Sequence, residues 1–286
     1  MTADLFEFSL VKKRFAVIGN PVAHSKSPEI HQIFAQQCNI VLDYQAIHVD
    51  HGGFAQALRN LQARGFAGIN ITVPYKQNAA EQVDSISKRA RVANAVNTIK
   101  FEDDGSMYGD NTDGEGLLRD LEKNLCQSIC DSKILVVGAG GAARGILEPI
   151  LAAKPEMVAI TNRTAKRGIS ISNEFLQYGP VSWQSFDQVS ELSFDIVVNA
   201  TSASLTGDIP NLPNQIFAPG SLAYDMGYGE QSTPFIIWAK KQGAARTANG
   251  LGMLVEQAAS SFKLWHQVEP DTGAALLAIF PNRMQS

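Results

Sequence analysis

Apolar and polar positions follow two rhythms along this chain. Short β-branched runs, Phe15-Ala16-Val17-Ile18, Tyr44-Gln45-Ala46-Ile47-His48-Val49 and Gly68-Ile69-Asn70-Ile71-Thr72-Val73, read as strands. The stretches between them, 28–38 and 53–64, read as helices. The succession βαβαβ predicts a largely parallel sheet covered by helices, with functional groups gathered at the carboxyl ends of the strands. Pro74 stops the third strand, which puts Thr72, Tyr75 and Lys76 at that edge. A further helix is predicted over 78–91 and a strand over 95–100, and Asp103-Asp104-Gly105 suits a hairpin into Met107-Tyr108-Gly109.

After Asn111-Thr112-Asp113-Gly114 a helix over 115–125 is read as a bridge to a second unit. Strands are predicted there at 133–137, 157–161, 181–183, 195–199, 221–225 and 244–247, enough for a doubly wound sheet. An amphipathic helix over 253–267 and a last helix from Asp271 lie too far beyond the final strand to belong to it, and are expected to pack back on the first unit. The expected fold class is therefore α/β in two domains. A mixed, largely parallel α/β domain spans 1–114 and is completed by 251–286, and a doubly wound Rossmann-type domain spans 115–250.

Composition narrows the function classes. A length of 286 residues, 45% hydrophobic and 18% charged, is ordinary for a globular protein of two domains. A net charge of −4 with no basic run argues against a nucleic-acid partner. Asp4, Glu7, Lys12, Lys13 and Arg14 interrupt the N-terminal residues, no apolar run is long enough for a membrane, and a cytoplasmic location is expected. Cys38, Cys126 and Cys130 form no metal or redox spacing; the last two are expected on one helix face, all three as structural thiols. His48 and His51 have no second ligand pair, so no metal is expected.

The chemistry begins at Gly138-Ala139-Gly140-Gly141-Ala142-Ala143-Arg144, between an apolar strand and a helical stretch. Glycines there let the backbone turn sharply and approach a pyrophosphate, whose charge meets the N–H groups and positive dipole end of the helix. Such a turn can also serve only to pack a helix on a sheet. The next strand bears on the choice, because an NAD site usually carries an acid about 20 residues on, for the ribose 2′-hydroxyl. This chain offers Asn162-Arg163-Thr164, with Arg167 one helical turn further. A guanidinium fork suits a phosphate, so NADP is preferred over NAD. Taken singly, both arginines also read as solvated charges at a helix start.

Four polar clusters fall where loops face a cleft: 24–28, 70–76, 95–98 and 109–114. Their hydroxyls, amides, amine and carboxylate suit a small polyhydroxylated ligand, since Asn, Thr and Ser donate and accept while Lys and Asp exchange a proton. Structural readings stand beside this one. Ser27 before Pro28 reads equally as a helix N-cap, Asp113 as an N-cap before Gly114 and Glu115, and Asn97 as a satisfied core amide.

Together, Gly19 to Pro28, Asn70 to Lys76, Asn94 to Thr98, Gly109 to Gly114, Gly138 to Arg144, Asn162-Arg163-Thr164, Asn199 to Ser202, Tyr224-Asp225-Met226 and Gly250 to Ala258 resemble the shikimate dehydrogenase family over nearly the whole chain. The resemblance implies reversible NADPH-dependent reduction of 3-dehydroshikimate to shikimate, a step of aromatic amino-acid (chorismate) biosynthesis. It implies Ser25 and Ser27 at the substrate carboxylate, Thr72, Asn97, Tyr228 and Gln257 at the ring or its hydroxyls, and Lys76 with Asp113 as the catalytic pair. For NADP it implies Gly138, Ala139, Gly140, Gly141 and Ala142 at the pyrophosphate and Asn162, Arg163, Thr164 and Arg167 at the 2′-phosphate. Thr201, Ser202, Met226, Gly250 and Met253 fall on the nicotinamide side. A small-molecule substrate and a homodimer complete the expectation.

Two departures stand out: Ser202-Ala203-Ser204-Leu205 where relatives often place a glycine, and Gly227 where they carry a bulkier residue. Three rival readings stand against this one. An NAD-dependent quinate/shikimate dehydrogenase is disfavoured by Arg163 with no acid beside it. A reductase with a covalent thioester needs a cysteine at the cleft, and Cys38 falls near a helix end. A catalytically silent NADPH sensor would have lost Lys76 or Asp113, and both are present.

Overall fold

A computed structural model describes residues 12–280 apart from 202, 204–206 and 230. Strands β1 (Lys13–Gly19), β2 (Leu42–His48) and β3 (Phe66–Ile71) run parallel, β1 in the middle. Helices α1 (Ser27–Gln37) and α2 (Phe54–Ala63) make the crossovers, and α2 turns Phe54, Leu58 and Leu61 inward at helical spacing. Next to β3 lies β5 (Thr98–Phe101), antiparallel, and a hairpin through Gly105, at φ 85°, leads into β6 (Met107–Asp110). The sheet order is β2-β1-β3-β5-β6-β4, with the short β4 (Ser85–Ile86) at the edge.

The helix expected over 78–91 is broken into three pieces. α3 (Lys76–Gln82) stops at Val83, whose ψ of 149° is extended, and β4 (Ser85–Ile86) pairs in parallel with Tyr108 and Gly109. α4 (Lys88–Ala93) then starts at Ser87, whose hydroxyl accepts from the Ala90 N–H at 3.1 Å. The backbone between the helices finds partners on β6, with the Asp84 N–H donating to Met107 O at 3.0 Å and the Ser87 N–H donating to Gly109 O at 2.9 Å. The expected bridge helix also changes character. α5 (Asp113–Arg119) widens into a π-helical turn over Asp120–Asn124, closed by the Leu125 N–H donating to Asp120 O at 3.0 Å.

The second sheet contains β7 (Lys133–Val137), β8 (Met157–Thr161), β9 (Val181–Trp183), β10 (Phe194–Asn199), β11 (Phe217–Asp225) and β12 (Arg246–Asn249), all parallel. Its order, β12-β11-β10-β7-β8-β9, is that of a doubly wound sheet whose switch point lies between β7 and β10. Helices α6 (Gly141–Ala152), α7 (Ala165–Phe175), α8 (Phe186–Val189) and α9 (Pro234–Lys241) flank it.

α10 (Leu251–His266) and α11 (Thr272–Ile279) close the chain. Met253 joins the core of the second sheet, whereas Val255, Ala258, Ala259, Phe262 and Trp265 pack with Phe15, Ile30, Phe34 and Tyr44 of the first. α10 thus spans both cores. Trp265 Nε1 donates to Ile99 O at 3.0 Å and lies where a side chain on Gly68 would stand, 2.3 Å from a Cβ placed there. Cys126, at φ 51°, and Cys130 are both exposed between the π turn and β7, so they do not share a helix face; Cys38 follows α1. Among the described residues no helix is long and apolar enough to cross a membrane, and no His/Cys/Asp/Glu group could hold a metal ion.

Candidate active site

The carboxyl ends of both sheets border one cavity of about 1150 Å³. From the substrate-side candidates, Ser25, Ser27, Thr72, Lys76, Asn97, Asp113, Tyr228 and Gln257 line it. From the nucleotide-side candidates, Gly138, Ala139, Gly140, Gly141, Ala142, Asn162, Arg163, Arg167, Thr201, Met226, Gly250 and Met253 line it too. Thr164 does not; it precedes α7 and its carbonyl accepts from Asn162 Nδ2 at 2.9 Å. Ser202 lies outside the described residues.

On the cavity wall Lys76 Nζ donates to Asp113 Oδ2 at 2.5 Å, with the two side chains 18% and 5% exposed. Lys76 opens α3 just after β3, and Asp113 opens α5 just after β6, so two strand ends bring them together. The cap position of α5 belongs to Thr112, which leaves the Asp113 carboxylate to face the lysine. Its second oxygen, Oδ1, accepts from Asn97 Nδ2 at 2.8 Å. Asn97 Oδ1 in turn accepts from the Thr112 N–H at 2.9 Å and Thr98 Oγ1 at 2.9 Å, so this buried amide is held at both ends and also orients the carboxylate. Gly145 on α6 completes the setting: a Cβ there would stand 3.2 Å from Asp113 Oδ2.

Ser27 begins α1 without capping it; its hydroxyl accepts from Ser25 Oγ at 3.2 Å at the cavity wall. Asn70, absent from the sequence-derived set of contacts, is buried at the same wall, accepting from Tyr44 Oη at 2.6 Å and donating to Thr98 Oγ1 and Ser261 Oγ at 3.1 and 3.0 Å. Its two-residue spacing from Thr72, just past the end of β3, is the signal that marks it. His24, Phe186, Asp208 and Ile209 also line the cavity. Burial pushes the Tyr228 phenol up, partly offset by the backbone N–H of Lys26 across the cleft.

The second sheet's side fits a dinucleotide. Gly138 sits at φ 117°, where a Cβ would stand 3.1 Å from Ala200 O, and a Cβ on Gly140 would meet nothing within 4 Å. α6 has no side-chain cap, so its first-turn N–H groups keep their capacity for an anion. Arg163 and Arg167 are exposed and carry no ion pair among the described residues, whereas Arg144 is held in a fork by Glu174 at 2.7 and 2.8 Å. Two cations at the end of β8 are thus available to a phosphate.

A buried lysine–carboxylate pair in one cavity with a glycine turn at the switch point of a doubly wound sheet fits a dinucleotide-dependent oxidoreductase. The family described as shikimate dehydrogenase substrate binding domain matches residues 17–99, shikimate / quinate 5-dehydrogenase matches 120–206, and shikimate 5′-dehydrogenase C-terminal domain matches 250–276. Shikimate dehydrogenase (NADP(+)) of Thioalkalivibrio sulfidiphilus is 45% identical over 268 residues, 94% of this chain and 98% of its own. That of Dechloromonas aromatica is 48% identical over 262 residues, 92% of this chain and 95% of its own. An Ael1 enzyme from Pseudomonas putida has a similar structure, with a TM-score of 0.87 at 45% identity over 94% of this chain and 98% of that one. Shikimate 5-dehydrogenase of Thermus thermophilus, solved in complex with NADP(H) and shikimate, has a TM-score of 0.81 at 32% identity, covering 92% and 97%. The chain belongs to the shikimate dehydrogenase family.

Proposed function

We propose that this protein reduces 3-dehydroshikimate to shikimate, reversibly and with NADPH, in the biosynthesis of chorismate and the aromatic amino acids. The observation that carries the reading is the Lys76–Asp113 pair, 2.5 Å apart and largely buried in a cavity that the glycine turn also lines. NADPH supplies the hydride to the carbonyl carbon. As charge develops on the carbonyl oxygen, Lys76 Nζ gives it a proton; in oxidation the same nitrogen takes the hydroxyl proton back. Asp113 aims the amine through Oδ2 while Asn97 grips Oδ1. Ser25 and Ser27 receive the carboxylate of the substrate as hydroxyl donors, and Thr72, Asn97, Tyr228 and Gln257 meet the ring and its hydroxyls.

On the nucleotide side, 138–142 hold the pyrophosphate, Asn162, Arg163 and Arg167 hold the 2′-phosphate, and Thr201, Met226, Gly250 and Met253 border the reactive ring. The division of labour follows the chain: 1–114 with 251–286 hold the substrate, and 115–250 hold the nucleotide. With that chemistry we assign the protein to the cytoplasm and to a homodimer, which fractionation and sedimentation would test. The decisive assay follows absorbance of NADPH with and without 3-dehydroshikimate, beside NADH and, in reverse, quinate. Dehydroshikimate-dependent oxidation of NADPH in preference to NADH is the expected result, and its absence would overturn the reading.

A further inference from the structure

We propose that Arg89, on α4, positions the Asp113 carboxylate by clamping both ends of the turn that carries it. The turn runs from Asp110, the last residue of β6, to Glu115 in the first turn of α5, and Asp113 lies between them. Arg89 Nε and Nη2 donate to the two oxygens of Asp110 at 2.7 and 2.6 Å, and Nη1 donates to Glu115 Oε2 at 2.6 Å. One planar guanidinium therefore spans the turn from entry to exit, in a geometry that an ammonium cannot copy.

The clamp is shielded. The Asp110 side chain is 6% exposed and that of Arg89 33%. Asp110 Oδ1 also accepts from Ser87 Oγ at 2.5 Å and the Asn111 N–H at 2.7 Å, which ties the entry of the turn to α4. Burial works against all three charges. Their mutual hydrogen bonds and attraction, joined at Glu115 by its ion pair with Arg119 at 2.6 Å, outweigh it, holding the guanidinium above its ordinary range and both carboxyls below theirs. Arg89 neither bonds to Asp113 nor lines the cavity, so it acts through the turn alone.

This inference rests on the acid–base reading of Lys76 and Asp113, and the test separates the two. Arg89→Gln is expected to lower kcat by roughly 10- to 100-fold, the loss that a misplacement of about 1 Å brings, with KM for shikimate within about 3-fold. Arg89→Lys recovers little of it. In an Asp113→Asn background Arg89→Gln brings no further loss, because the carboxylate it positions is gone. Glu115→Gln frees only one end of the turn, on a side chain 31% exposed, and gives a smaller loss that vanishes in the same background; it decides the matter if Arg89→Gln does not fold. Unchanged kcat in the deciding variant, a fully active Arg89→Lys enzyme, or an equal loss with and without the Asp113 carboxylate overturns the proposal. An Asp113→Asn enzyme as fast as the parent overturns instead the reading of the pair.

Discussion

If Lys76 carries the proton, as proposed, its replacement isolates the acid–base contribution from binding. Lys76→Ala is expected to lower turnover by about two to four orders of magnitude while shikimate still binds, as steady-state kinetics and fluorescence titration would record. Near-normal turnover would remove the amine from the mechanism. At the other end of the cavity, Arg163→Asp places an anion where the 2′-phosphate is expected, and the ratio of kcat/KM for NADP to that for NAD should fall. An unchanged ratio would displace the 2′-phosphate pocket. Most of these residues were legible in the sequence because each lies at a strand end marked by Pro, Gly or a polar run. The capping alternatives for Ser27 and Asp113 dissolve on geometry: Lys26 and Thr112 hold the cap positions, a one-residue shift that helix-boundary signals do not resolve. Asn70 opens the polar run 70–76, but no contact could be assigned to it from sequence because its role depends on Tyr44, Thr98 and Ser261, residues far apart in the chain.

Strands and crossover helices were readable where local pattern and tertiary setting agree, as in β7 and β8, whose bounds coincide with the expected ones. They parted at 83–87. Helical spacing continues through that stretch, yet β6 offers it an edge, and the pairing of Ser85 and Ile86 with Tyr108 and Gly109 exists only once the hairpin has formed. The π turn at Asp120–Asn124 has a similar origin: Asp120 is buried and accepts from the hydroxyl of Tyr224 on β11 at 2.7 Å, a contact invisible to local periodicity. Close approach of elements also imposes a testable demand. α10 meets β3 at Gly68, where a Cβ would stand 2.3 Å from Trp265 Nε1 and 2.9 Å from Ile99 O, the two ends of one hydrogen bond. Gly68→Ala is therefore expected to cost about 2–4 kcal/mol through overpacking and loss of that bond, read as a lower urea midpoint. An unchanged midpoint would mean that α10 can shift without loss.

Because α10 joins both cores and brings Met253, Leu254 and Gln257 to the cavity, the integrity of the whole molecule depends on its seat against the first sheet. That seat contains two histidines. His31 is fully buried, stacked on Tyr44 at 4.4 Å with no hydrogen bond to either ring nitrogen, and His266 ends α10 against Phe262 and Phe15 at 4.4 and 5.1 Å. Burial, then the neighbouring His266, pushes His31 down from 6.5 to about 3, against a small opposing pull from nearby Asn70; burial and then Lys13 push His266 down to about 4. The folded protein thus keeps His31 neutral where the unfolded chain protonates it. Stability should be complete above about pH 6.5 and fall as pH drops from there toward 3, at up to about 1.4 kcal/mol per pH unit for His31. His31→Phe keeps the stacked ring and removes the titrating nitrogens. The parent's urea midpoint should therefore drop between pH 7 and pH 5 by clearly more than the variant's, with His266 supplying the remaining slope. Equal drops would show that His31 takes up no proton on unfolding, and that α10 is released by acid through other groups.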